Sequence, residues 1–456
     1  MSVAIPHIKP EDIDTPEKRA KYTITIVGCE PIGVAQAYLF AEAGFKVICA
    51  DTNQAVANLL SKGKTAFLKR EAETKLRSHL KTARLSVTND IKTAISQSHI
   101  IAITNTVKID GKKKTDYSEI EKTCKTIGSS LHRGSIVTVM STTGIGFLES
   151  VLKEVLENSS GYKSGVDFGL AYSPIKTQTV KTLEDLANCE RIVAATDKTS
   201  LSSVATLITT VSTKKTKQTS NVKTAEATTL FEITHEDVEA ALANELALFC
   251  ERIGVDYAEI QELAGNGRLG SPKLPDDSID EESYILLEDS ENLNARLRVS
   301  SVAREINQEM VRHVIALVKD SMKECQKTLR RARITLLGIS RTKNERNSPK
   351  GTVQELAEML EARGVKTSLY DPYVTEADLV EKSQHFAKNL TEAIEGVDVI
   401  VITTGHDQFK RLNLKKLKAM MKAPAAIIDL ENIFNPEEVE REGFIYRGLG
   451  RGVRQK

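Results

Sequence analysis

The sequence has no tryptophan, and its few phenylalanines and tyrosines hold aromatics to 5% of 456 residues. A nucleic-acid platform of stacked rings has little to build from. An excess of charge of one sign is also missing, since 63 Lys and Arg face 62 Asp and Glu. That balance gives no net field to draw a polyanion or an anionic membrane. Neither nucleic acid nor membrane is therefore expected as a partner. The six cysteines, at 29, 49, 124, 189, 250 and 325, contain no C-x-x-C pair, and the eight histidines form no ligand cluster. This argues against a disulfide framework and against a metal site. No uninterrupted apolar run reaches the ~18 residues of a membrane span. Residues 1–20 read as a polar, proline-containing tail without the apolar core of a signal peptide. The expectation is a cytoplasmic protein of roughly two to four domains.

What is present begins with Gly28-Cys29-Glu30-Pro31-Ile32-Gly33. The strand-like run Tyr22 to Val27 precedes it. An apolar helical run, Ile32 to Ala43, follows, and then a second strand, Lys46 to Ala50. This is the setting of a dinucleotide-binding turn, G-x-G-x-x-G. Gly28 and Gly33 occupy its outer glycines. Asp51 ends the second strand where an acidic residue would hold the adenosine ribose of NAD. Glu30 stands at the middle glycine, where backbone approaches pyrophosphate. A carboxylate ~4 Å from a phosphate costs about 1–4 kcal/mol at surface-like dielectrics. The fold signal survives there and the cofactor signal is damaged.

Strand and helix patterns alternate from residue 21 to about 215, with strands expected at 22–27, 46–50, 99–104, 135–140, 167–171 and 191–195. Such alternation predicts a parallel, doubly wound sheet. The polar stretch Ser212 to Ser220 reads as an exposed loop. Residues 222–265 read as helical throughout, 269–283 break the pattern, and helix returns from about Asn294 to Arg330. A second α/β domain starts near Ala332, with strands expected at 333–338, 366–371, 398–403 and 425–429. The domains are accordingly a tail (1–20), an N-terminal Rossmann-like domain (21–215), a helical centre (216–331) and a C-terminal Rossmann-like domain (332–456). Ala94-Ile95 precedes Ile103-Thr104 at the same offset as Ala393-Ile394 precedes Ile402-Thr403. That is either an internal repeat or the shared rhythm of any two doubly wound domains.

Several further landmarks fall in a fixed order. They include Ser141-Thr142 after a strand, Ala171-Tyr172-Ser173-Pro174, Thr224-Ala225-Glu226-Ala227, Ala243-Asn244-Glu245 and Ala303-Arg304-Glu305-Ile306-Asn307. Arg346-Asn347-Ser348-Pro349, Tyr370-Asp371-Pro372, Thr404-Gly405-His406 and Gly448-Leu449-Gly450-Arg451 complete the series. In this order the chain resembles the nucleotide-sugar dehydrogenases, the UDP-glucose and UDP-N-acetylmannosamine 6-dehydrogenases, from about residue 22 to 452. The stretch Ala303 to Met310 looks more like the N-acetylhexosamine branch. The resemblance implies two Rossmann-like domains around a helical dimerisation region. It implies NAD as cofactor, with Thr106, Ser141 and Thr142 joining Gly28, Glu30, Gly33 and Asp51 in its site. It also implies a UDP-sugar as ligand, with Asn244 and Arg346 as substrate-type positions.

The family chemistry traps an aldehyde on a cysteine and stabilises the oxyanion with a lysine and an asparagine. Carried across residue by residue, the glutamate of S-P-E-R falls on Ile175, the lysine on Thr229 and the asparagine on Ile233. The cysteine falls on Ser278 and its loop aspartate on Glu282. None of the first four can supply the family's chemistry. The implied protein has therefore lost the four-electron oxidation. It would be a non-catalytic binding or partner subunit, as a homodimer or paired with an active paralogue. The alternative is an active mannosamine-type dehydrogenase with a displaced site.

Overall fold

The computed structural model describes residues 5–65, 70–176, 183–265, 267–275, 282–346, 349–376 and 385–451. The chain forms two compact units, Met1–Thr234 with Glu281–Arg296 and His235–Asp280 with Leu297–Lys456.

The first unit is built on β1 (Thr23–Val27), β2 (Lys46–Ala50), β3 (Leu85–Thr88) and β4 (Ile100–Ile103). The short pair β5 (Lys108–Ile109) and β6 (Thr115–Asp116) follows. Then come β7 (Ile136–Val139), β8 (Gly169–Tyr172), β9 (Ile192–Ala195) and β10 (Lys217–Thr219). Eight of these make one sheet in the order β10-β9-β8-β7-β4-β1-β2-β3, with β5 and β6 a separate hairpin. Residues of β1, β4, β7 and β8 are almost wholly enclosed, as strands covered by helices on both faces must be. The order reverses between β1 and β4, so the carboxyl ends of those two strands frame a crevice.

Several details depart from the sequence expectation, beginning with β3, a strand where none was expected. Strand β9 runs antiparallel to β8 rather than parallel. Residues 217–219, read as loop, form an edge strand parallel to β9. An edge strand buries little, so Lys217-Gln218-Thr219 carries no apolar signature. Finally, residues 5–20 do not hang free. Ile8 and Ile13 are each 1% exposed, and the Ile8 amide donates to Ser203 Oγ at 2.9 Å.

The second unit holds β11 (Arg333–Leu337), β12 (Lys366–Tyr370), β13 (His385–Phe386), β14 (Val399–Ile402), β15 (Ala426–Asp429) and β16 (Ile445–Gly448). They form a parallel sheet in the order β13-β12-β11-β14-β15-β16. The Arg298–Glu324 helix packs Met310, Val314, Val318 and Met322 into the core of this sheet. The helix expected over 222–265 is two. Val222–Ile253 runs 32 residues. Gly254, at φ +73°, then ends it, and Asp256 caps a new helix, Tyr257–Ala264, by accepting from the Ala258 amide. Both sheets are Rossmann-like, with helices between them in sequence.

Candidate functional site: a dinucleotide crevice and its surroundings

At the carboxyl edge of the first sheet, Gly28 follows β1 with φ +100°, and a Cβ there would meet the Asn105 backbone nitrogen at 2.9 Å. A Cβ on Gly33 would fall 2.0 Å from the Gly28 carbonyl oxygen and 2.6 Å from Thr104 Oγ1. The first turn of the Pro31–Ala43 helix can approach β1 and β4 only because both residues lack a side chain. The Thr104 hydroxyl locks the approach by donating to the Gly28 carbonyl at 2.7 Å. This backbone cradle fits a dinucleotide.

Glu30 is the departure from that fit. It is the N-cap of the Pro31–Ala43 helix, yet its side chain makes no bond to that helix. Its Oε2 instead accepts the Thr106 amide N–H at 3.2 Å and the Thr106 hydroxyl. Burial pushes the Glu30 carboxyl above its ordinary value, and the Thr106 bonds oppose that shift. Asp51 ends β2 and ties to the same turn. Its Oδ2 accepts the Cys29 amide at 2.6 Å and its Oδ1 the Asn53 amide at 2.8 Å. Each oxygen keeps a lone pair for a ribose hydroxyl. Ser141 follows β7 and donates to the Ile103 carbonyl at 3.5 Å. Thr142 is buried, and its hydroxyl has no hydrogen-bond partner among the described residues. Hydrogen bonds thus join Glu30 to Thr106, Asp51 to the turn, and Ser141 to the end of β4.

Sequence reasoning missed what holds the loop after β7. The Gly144 amide donates to the Tyr117 hydroxyl at 3.0 Å and the Ile145 amide to Asp289 Oδ2 at 2.7 Å. Those of Gly146 and Leu148 donate to the two oxygens of Glu226, at 2.5 and 3.0 Å. Three of these four amides thus end on the protein's own carboxylates. Burial pushes the Glu226 acid up to about 7 against the pull of those amides. Glu226 stood in a quoted motif, but only its fold neighbours give it this role. Arg191 was likewise not foreseen. It is 3% exposed and clamps the Ser173 carbonyl at 2.7 Å and the Ser173 hydroxyl at 3.1 Å. Burial lowers its pKa to about 10.

Of the positions carried over from the family's chemistry, Ile175, Thr229, Ile233 and Glu282 belong to the first unit. Ile175, Thr229 and Ile233 are 2, 1 and 0% exposed. The Thr229 hydroxyl donates back to the Ala225 carbonyl of its own helix at 2.9 Å. Glu282 starts the Glu282–Asn292 helix and is buried. Ser278 lies outside the described residues.

In the second unit, Gly338 follows β11 with φ +84° as Gly28 follows β1. Asp371 follows β12, and its Oδ2 accepts the Ile339 and Ser340 amides at 2.8 and 2.9 Å. His406 Nε2 lies 3.1 Å from both Asp371 Oδ2 and Ser340 Oγ, while its Nδ1 accepts the Asn344 amide at 2.9 Å. One ring nitrogen faces both oxygens and all three groups are buried, which makes a pinned turn rather than a nucleophile with its base. Arg346 is exposed in the loop that follows. Asn244 is buried. Its amide nitrogen donates to Asn307 Oδ1 at 2.9 Å and its oxygen accepts the Lys273 amide at 2.8 Å.

The chain matches three domains of the UDP-glucose/GDP-mannose dehydrogenase family. These are the NAD binding domain over residues 22–236, the central domain over 223–309 and the UDP binding domain over 336–436. It is 28% identical to a UDP-N-acetyl-D-mannosamine dehydrogenase of Pyrococcus horikoshii, over 94% of this chain and 99% of that protein. A UDP-N-acetyl-D-mannosamine dehydrogenase of Methanocaldococcus jannaschii is 26% identical over 94% and 96%. The solved structure of the UDP-D-ManNAc dehydrogenase of Pyrococcus horikoshii superposes with a TM-score of 0.83 at 27% identity, covering 94% of this chain and 99% of that one. With its glycine cradle, its two Rossmann-like sheets and all three domains matched in order, this chain belongs to the UDP-glucose/GDP-mannose dehydrogenase family.

Proposed function

We propose that the protein takes a UDP-N-acetylhexosamine of the mannosamine type as its sugar nucleotide and NAD as its dinucleotide. The observation that carries this is the end-to-end match with relatives named for that substrate, 94% of this chain against 99% of one of them. When bound, NAD supplies the hydride acceptor. Gly28 and Gly33 give the backbone its close approach, and Asp51 offers carboxylate oxygens to the ribose. Arg346 and Asn244 are the substrate-type positions, and Arg346 brings the fixed charge suited to a diphosphate.

The same match favours the dehydrogenase reading of its chemistry, with a site displaced from the family's positions. The first place to look is Lys176, whose ammonium is 2.7 Å from Glu232. It directly follows Ile175, and Glu232 directly precedes Ile233. A second reading has a specific observation behind it. Ile175, Thr229 and Ile233 are buried and carry no ionisable group. On that reading the chain is a non-catalytic binding subunit, as a homodimer or beside an active paralogue. Leu242, Phe249 and Ile253 offer the contact surface, one face of a helix 52, 57 and 52% exposed.

One experiment separates the readings. Purified protein is mixed with NAD and UDP-N-acetylmannosamine, and NADH is followed by absorbance while binding is followed by calorimetry. NADH formation that Lys176→Met abolishes supports the dehydrogenase reading. Binding of both ligands without NADH supports the subunit reading. Failure to bind either ligand overturns both.

A further inference from the structure

Glu30 stands where the first crevice opens. β1 and β4 are the neighbours at which the sheet order reverses, and Glu30 follows β1 while Thr106 follows β4. The Glu30–Thr106 contact therefore spans the mouth of the crevice. Two bonds from one residue converge on one carboxylate oxygen there, the amide N–H and the hydroxyl of Thr106. The charged groups facing Glu30 are Glu119 of the Ser118–Gly128 helix and Lys108 of β5. Those two are paired with each other at 2.8 Å, and Asn105 Nδ2 donates to Glu119 at 3.4 Å. Asp51 reaches the neighbouring Cys29 amide from the β2 side. Among the described residues the donors to Glu30 are the amide and hydroxyl of Thr106, and both are neutral.

We propose that Glu30 is a working member of the dinucleotide site: its carboxylate closes the crevice onto Thr106 until a dinucleotide enters, and its acid form then donates a hydrogen bond to a pyrophosphate oxygen. This rests on the NAD reading above. An ionised carboxylate at the helix N-terminus would repel the diphosphate, whereas the neutral acid is a hydrogen-bond donor. Burial raises the Glu30 carboxyl and Glu119 adds to that shift, while the Thr106 bonds and Lys108 hold it down. The acid form is therefore within easier reach than for an exposed glutamate. The one bond that forms is the O–H of Glu30: the ionised carboxylate takes up one proton from solvent when NAD binds, and NAD itself is unchanged. Affinity should then weaken as pH rises, by up to tenfold per unit, because the proton must be supplied against a falling concentration.

The test is calorimetric titration of NAD at pH 6, 7 and 8, each in two buffers of different ionisation enthalpy. For the native protein the result expected is weaker binding at each higher pH, with proton uptake approaching one. Glu30→Gln should bind with no uptake and no pH dependence, and tighter than native at pH 8. Thr106→Val keeps the acid and removes the hydroxyl, so it should keep the uptake and bind more tightly than native. Native binding with no uptake and equal affinity at the three pH values overturns the proposal and leaves the NAD reading standing. No binding by native protein, Glu30→Gln or Glu30→Gly at any pH overturns both.

Discussion

The Asp51 carboxylate accepts the Cys29 amide N–H at 2.6 Å, which fastens the end of β2 to the glycine turn after β1. Asp371 does the same in the second sheet, accepting the Ile339 amide at 2.8 Å behind Gly338. The parallel extends to Thr25 and Thr335, whose hydroxyls donate to the carbonyls of Ala94 and Ala393 at 3.4 and 2.5 Å. Thr104 and Thr403 likewise donate to the carbonyls of Gly28 and Gly338. The offset between Ala94-Ile95 and Ala393-Ile394 thus marks one set of side-chain ties built twice. An acidic residue after the second strand has a structural duty in each sheet, so its presence alone does not identify a ribose site.

Asp51→Ala should therefore lose stability as well as NAD affinity. Removing the acceptor leaves the Cys29 amide without its bond, at a cost of about 1–3 kcal/mol. Urea denaturation followed by circular dichroism measures the first effect and calorimetry the second. Loss of affinity with unchanged stability would show that the turn holds without Asp51.

His406→Ala should destabilise the second unit by about 2–4 kcal/mol, since it strips buried partners from Asp371, Ser340 and the Asn344 amide at once. The Asp371→Ala, His406→Ala double variant should cost less than the sum of the singles, because the two residues share one network. Additive costs would contradict the network.

Glu226 sets a pH dependence with a definite sign. Its folded pKa, about 7, lies above the ordinary 4.5. The folded protein therefore holds the proton after the unfolded chain has lost it. Its contribution to stability is fully present below the ordinary value and is lost as pH rises from about 4.5 to 7. Glu226→Gln should flatten that part of the stability–pH curve. It should also lower stability, because an amide offers one oxygen to the Gly146 and Leu148 amides where the carboxyl group offers two. Chemical denaturation at pH 5, 6 and 7 checks both effects, and an unchanged slope in the variant would contradict the assignment.

The exposed helix face of the second unit predicts self-association. Phe249→Glu with Ile253→Glu should convert a dimer to monomers in sedimentation velocity without loss of helix content. A native protein that sediments as a monomer at all concentrations would remove this surface as a subunit contact.

The fold was legible because buried parallel strands are continuous apolar runs, as in Ile100-Ile101-Ala102-Ile103 and Val399-Ile400-Val401-Ile402. The edge strands Leu85–Thr88 and Lys217–Thr219 were not legible, since a strand buried on one side shows only part of that signal. Gly28 and Gly33 could be read because only glycine meets their steric demand. The partner of Glu30 could not, because Thr106 is 76 residues away and meets it only through the adjacency of β1 and β4. Glu226 and Asp289 hold one loop from two distant helices, a convergence that no local pattern encodes.

The central claim, that the protein's ligand is a UDP-N-acetylhexosamine, is tested most directly by titrating UDP-N-acetylmannosamine and UDP-glucose into the NAD-treated protein and measuring heat and thermal shift. The account predicts saturable binding of the N-acetylhexosamine, weaker binding of the glucose compound, and loss of binding in Arg346→Ala. At 100 times its dissociation constant the ligand should add about 2.7 kcal/mol of stability. No heat and no thermal shift with either sugar nucleotide would contradict it.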